Sequence, residues 1–205
     1  MLDEPTTPES TPGEAIASPA AGAGHSAAGA SDRRDDDLKA TAIRPLPLPT
    51  SVGMPRSQPT RIKIPRIGVD APTVPLGLDR NQQIAVPPLN QPKTAGWYKL
   101  GPSPGEVGTS VVVGHVDSRA SGRAVFYRLG ALKPGDTIEV PRKDGTKARF
   151  IVDGVARYPK KKLPLEQVYG HTDKAQLRVI TCGGGYDKKA KTYKDNIVVY
   201  ATLAP

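Results

Sequence analysis

The sequence predicts a mostly-β protein: a closed or nearly closed barrel of eight or so short strands with one or two short helices, preceded by a disordered tail. Three observations lead there. The 205 residues include 22 prolines and 21 glycines but only 5% aromatic side chains, a composition of many turns. From Thr60 onward, short runs rich in Val, Ile and Thr recur between turn residues. Residues 1–59, by contrast, are dominated by Pro, Ala, Gly, Ser and Thr and show no periodic apolar face, so they bury too little surface to offset their ordering entropy.

The tail ends in Pro45-Leu46-Pro47-Leu48-Pro49, an extended polyproline-like spacer suited to a tether. The domain is expected to span residues 60–205. It opens with Ile62, Ile64 and Ile67 alternating against Arg61, Lys63 and Arg66, a half-buried strand with a basic edge. Ala71 to Leu78 reads as a second strand, confined by Pro72 and Pro75 to a sheet edge or bulge. Ile84 to Pro88 and Thr94 to Tyr98 read as extended pieces, with Trp97 in the core. Thr109 to Val116 is continuously apolar, as a central strand covered on both faces would be.

Val125, Tyr127, Leu129 and Leu132 fall at loosely helical spacing, which predicts one short helix over about Arg123 to Leu132. Asp136–Val140 and Ala148–Val152 alternate around Lys143-Asp144-Gly145-Thr146 and predict a hairpin, with both turn residues at positive φ. Tyr158 to Lys174 reads as a loop with the basic run Lys160-Lys161-Lys162 and a helical turn at Leu165 to Tyr169; its His171 is read as solvated. Leu177 to Thr181 is a strand that delivers Cys182 onto Gly183-Gly184-Gly185, read as an open loop, and Asn196 to Ala201 closes the sheet.

One domain is the expectation for this length. The tail carries five Lys and Arg against eight Asp and Glu, and the remainder 24 against 12, so the folded part is strongly basic. No helix-turn-helix pattern, aromatic stacking strand or zinc spacing accompanies that charge, which argues against nucleic acid and suits an anionic cell wall or membrane face. A single cysteine excludes an internal disulfide, and no run of 18 apolar residues occurs.

Taken alone, Cys182 beside Val179 and Ile180 reads equally well as a small buried hydrophobe, and His115 as a structural strand-end histidine. Together, at two strand ends facing loops, they offer a nucleophile with a base. Asp117, two residues beyond His115, either orients its ring or is an ordinary turn aspartate.

Val179-Ile180-Thr181-Cys182 resembles the strand-end signature of the sortases, usually Thr-Leu-x-Thr-Cys. Gly114-His115-Val116-Asp117-Ser118, Ala124 to Leu129 and Cys182-Gly183-Gly184 are most similar to the actinobacterial class F group, and the likeness runs from about Thr60 to Ala204. The resemblance implies a closed eight-stranded sortase-like β-barrel and a cysteine transpeptidase. It implies that Cys182 cleaves a Leu-Pro-x-Thr-Gly-like sorting signal through a thioester, that His115 protonates the leaving amine, and that a peptidoglycan amine resolves the acyl-enzyme. The family's arginine on the following strand is matched by Lys194 in Tyr193-Lys194-Asp195-Asn196, which keeps the charge but lacks the two-donor fork. Thr181, Gly183 and Asn196 fall where the substrate would bind, Asn196 sharing Lys194's face by parity.

Some relatives hold calcium with acidic loop residues in a loop matched here by Lys160-Lys161-Lys162, which offers no carboxylates, so no metal and no cofactor are expected. The resemblance further implies a monomer at the outer face of a Gram-positive membrane, tethered through a membrane helix that these 205 residues do not include. Two other classes fit the same pair: a Cys-His hydrolase or peptidase, and a catalytically weak peptide-binding module.

Overall fold

The computed structural model describes residues 53–118 and 122–205. Eight strands close a barrel in the order β1 (Arg61–Ile64), β2 (Val69–Leu76), β3 (Ala95–Tyr98), β4 (Gly108–Val113), β9 (Ala175–Asp187), β10 (Thr192–Leu203), β8 (Lys147–Pro159) and β7 (Thr137–Pro141), with β7 pairing back onto β1. The remaining strands, β5 (Asp117–Ser118) and β6 (Gly122–Arg123), form a separate two-stranded ribbon. Among the described residues the one α-helix, α1 (Leu165–Tyr169), stands where the helical turn was expected. Among the described residues, no helix is long and apolar enough to cross a membrane.

Alternation sorts the apolar residues onto two faces. Ile62, Ile64, Trp97, Val112, Phe150, Leu177, Val179 and Val199 belong to a cluster drawn from all eight barrel strands, which fills the lumen. Their alternates Val111, Val113, Ile180 and Val198 face outward and are covered by Ile84, Leu163 and Val168. This explains the continuous apolar run of β4, buried on both faces.

Pro72 and Pro75 do not put β2 at a sheet edge. Residues Val69 to Pro72 pair with β1 on one side, and Thr73 to Leu76 pair in parallel with β3 on the other. Each half of β2 therefore has one open side, where a proline's missing N–H costs no ladder bond.

The helix expected over Arg123 to Leu132 is absent apart from a 3-10 turn at Leu129–Ala131. The amides of Ala124 and Phe126 donate to the carbonyls of Val116 and His115 instead, so this segment is tied to the stretch after β4. The β7–β8 hairpin forms as expected, but only Gly145 has positive φ; Asp144 does not, and Gly145 N–H donates to Arg142 O. That geometry is a type I turn followed by a left-handed glycine. β8 also runs on to Pro159, well beyond Val152, because β10 pairs with it along its length.

Gly183, Gly184 and Gly185 are not an open loop: β9 continues through them to Asp187. Tyr193 pairs with Tyr186 and Asp195 with Gly183, so Gly184 and Gly185 together oppose Lys194 alone. With Gly184 at φ 75°, the triplet forms a bulge whose partner strand supplies the order that glycine itself lacks.

Residues 53–59, expected to belong to the tail, pack on the barrel. Arg56 donates to Gly101 O and Lys99 O and lies over Trp97, and Pro55 O accepts from Arg142. The rest of the expected tail lies outside the described residues.

Candidate active site

β4 and β9 run parallel, with Val111 beside Arg178 and Val113 beside Ile180. The same offset holds one residue further, where Gly114 N–H donates to Ile180 O and Thr181 Oγ1 donates to Gly114 O at 2.8 Å. Gly114 and Thr181 immediately precede His115 and Cys182, so the two reactive residues each follow directly on a bonded pair. Antiparallel pairing adds Asn196 of β10 opposite Cys182 and Tyr158 of β8 opposite Asn196. Cys182 and Asn196 thus form a cross-strand row on the outer face, and the next row, Val113–Ile180–Val198, is fully buried and apolar.

Both chemical groups stand half-exposed at the end of that floor. His115 Nε2 lies 2.6 Å from Pro87 O. A carbonyl can only accept, so Nε2 carries a proton and Nδ1 is the nitrogen free to take or give one. A Cβ at Gly114 would sit 2.6 Å from the Phe126 ring, so glycine lets that ring pack against the backbone just before His115. Cys182 lies within β9 rather than at its exit.

The other expected site residues divide by strand parity. Asn196 is buried and its Oδ1 has no hydrogen-bond partner, a carbonyl held beside the thiol. Thr181 and Gly183 point the opposite way from Cys182. Thr181's side chain is fully buried and its hydroxyl is engaged with Gly114 O, so it ties β9 to the stretch that follows β4. Gly183 packs against Ile197, where a Cβ would come within 2.7 Å. Lys194 is exposed opposite the bulge. The backbone amides of Ala190 and Lys189 hold the Asp187 carboxyl below the usual carboxylate range, and the charge of Lys194 adds to that.

Two neighbours were missed. Pro87 offered no sequence signal, since its carbonyl arrives from a loop remote in the chain. Tyr193 donates its hydroxyl to Asp117 Oδ2, so Asp117 has a definite partner, and it is not the histidine. Burial, the Asp117 hydrogen bond and charge, and the nearby Cys182 push the Tyr193 hydroxyl up to about 12. Further along the face, Arg178 is buried under Tyr200, 4.5 Å from its ring centroid, and stays out of the site, as does exposed His171. Among the described residues no group of three or more His, Cys, Asp or Glu is placed to hold a metal ion.

Residues 62–204 match the Sortase domain family. The chain belongs to the sortase family. Sortases are cysteine transpeptidases of the Gram-positive cell surface that act on proteins bearing a sorting signal. The barrel is similar to that of a sortase D5 transpeptidase from Clostridium perfringens, at TM-score 0.53 and 18% identity over 72% of this chain and 79% of that one. It is likewise similar to sortase C-1 from Actinomyces oris, at 0.54 and 21% over 71% and 73%. A lid mutant of sortase A from Corynebacterium diphtheriae gives 0.54 and 20% over 74% and 73%. At these identities the likeness speaks for the fold. No curated protein matches this sortase.

Proposed function

We propose that this sortase, of the class F type, cleaves a Leu-Pro-x-Thr-Gly-like sorting signal at the Thr–Gly bond and transfers the acyl group to a cell-wall amine. The observation that carries the reading is the hydrogen bond from Thr181 to Gly114, which ties the residue before Cys182 to the residue before His115 at the end of an apolar floor. In the first half-reaction the Cys182 thiolate attacks the Thr carbonyl. The C–S bond forms, the C–N bond breaks, and the imidazolium of His115 gives its Nδ1 proton to the leaving amine. In the second half-reaction an incoming amine attacks the thioester, His115 takes the amine proton back, and the thiolate leaves.

Lys194, on its flexible stem at the bulge, supplies positive charge to the carbonyl oxygen as negative charge develops there. Asn196 faces the same row with a neutral amide, and the backbone of Thr181 and Gly183 borders the bound acyl group. The enzyme works as a monomer at the outer face of an actinobacterial membrane, with the residues before the barrel serving as its tether.

Intact-mass measurement after mixing with a Leu-Pro-x-Thr-Gly peptide tests the reading. The expected adduct is the acyl fragment on Cys182, lost in Cys182→Ala, with an amide product formed on adding a small amine. Only free acid, whatever the amine, would make the enzyme a hydrolase, and peptide binding with no adduct would make it a binding module.

A further inference from the structure

His115 and Lys194 sit on different segments, and both must face one carbonyl. His115 follows β4; Lys194 belongs to β10 at the point where the β9–β10 register breaks. The segment bearing His115 is held to β9 by the Thr181–Gly114 bond, to the Pro87 loop by Nε2, and to Phe126 through its own carbonyl. None of these reaches β10. The Tyr193–Asp117 hydrogen bond does: Tyr193 immediately precedes Lys194, and Asp117 is two residues past His115.

The surroundings hold that bond in place. The Tyr193 ring packs edge-on against Tyr186, its cross-strand partner, with centroids 5.3 Å apart at 72°. Asp117 pairs through its backbone with Arg123 in the β5–β6 ribbon. Tyr193's raised pKa keeps the hydroxyl protonated, and therefore a donor, throughout the neutral range.

We propose that Tyr193 is a positioning residue which, by donating to Asp117, fixes the hairpin bearing Lys194 against the segment bearing His115 and so sets their spacing about the Cys182 thiol. This rests on the transpeptidase reading above. Tyr193 takes no part in proton transfer, because its proton is committed to the Asp117 carboxylate. Its loss leaves peptide binding intact and slows acylation, since displacement of a reacting group by about 1 Å costs up to about 100-fold.

The test uses the whole chain carrying Tyr193→Phe, Asp117→Ala, Asp117→Asn and the Phe/Ala double substitution, with single-turnover thioester formation, steady-state KM and kcat, and thermal midpoint measured for each. Tyr193→Phe and Asp117→Ala are each expected to slow acylation about 10–100-fold at unchanged KM. The double variant should be no slower than either single one, because one bond is broken in all three. Asp117→Asn should recover most of the rate, since an amide oxygen still accepts. Wild-type acylation rates in Tyr193→Phe, or single effects that multiply, would overturn the proposal. If Tyr193→Phe folds poorly, the Asp117 pair decides alone: Asn no better than Ala overturns it. Acylation by wild type with unaffected variants removes only this inference, whereas no acyl-enzyme in wild type removes the transpeptidase reading and the inference with it.

Discussion

Thr181 Oγ1 donates to Gly114 O at 2.8 Å, so the residue before the thiol is bonded to the residue before the histidine. The bond is fully buried and forms beyond the last ladder pair of β4 and β9.

Thr181→Val keeps the shape but removes the side-chain donor to Gly114 O. The expected loss is about 1–3 kcal/mol in denaturant unfolding, with unchanged m. A fall in kcat/KM should exceed what the unfolded fraction explains, because the two reactive residues lose their shared anchor. Thr181→Ser should retain most of both. Equal stability of the Val and Thr forms would show that the bond contributes nothing net.

The bulge makes neighbouring glycines unequal. Gly184 has φ 75°, and a Cβ there would collide with the Asp195 carboxylate, whereas a Cβ on Gly185 meets no atom within 4 Å. Gly184→Ala should therefore cost about 1–3 kcal/mol and Gly185→Ala nearly nothing. Thermal midpoints of the two variants check this, and similar values would argue against the left-handed bulge.

Lys194→Ala should lower kcat/KM about 10²–10³-fold, the scale of a lost oxyanion donor. Lys194→Arg should hold or raise it, since the guanidinium restores a second parallel donor. Steady-state peptide cleavage by the two variants checks both. An alanine variant that matches wild type would take Lys194 out of the mechanism and leave Asn196, opposite Cys182, as the polar group of that row.

Removal of residues 1–52 should leave the thermal midpoint unchanged, whereas removal of 1–59 should lower it. The longer deletion strips Arg56 from the Trp97 ring and from Glu106, and takes away Pro55 O, the acceptor of a guanidinium whose side chain is fully buried. The exposed Arg56–Glu106 pair contributes little; the orphaned Arg142 donor costs about 1–3 kcal/mol. Calorimetry of the two truncations checks the boundary.

By itself the sequence determined whatever a few neighbouring residues decide. Period-two alternation at Ile62 and Ile64, the unbroken apolar run into His115, the Asp144-Gly145 turn and the α1 turn are local signals, and each led to a correct element. Cys182 and His115 could be proposed as a chemical pair from the sequence because few side chains can act as nucleophile and base. The tertiary structure decided where such signals meet. Gly183 to Gly185 can lie in a strand only because β10 pairs across them, and Pro72 and Pro75 fit inside the barrel only because each half of β2 has a different partner. The helical spacing at Val125 to Leu132 lost to amides drawn off by His115 and Val116. The parity that turns Thr181 inward, the Pro87 carbonyl on His115 and the Tyr193–Asp117 bond arise from contacts remote in the chain. No local period encodes such contacts, since they exist only once the barrel has closed and brought their strands into register.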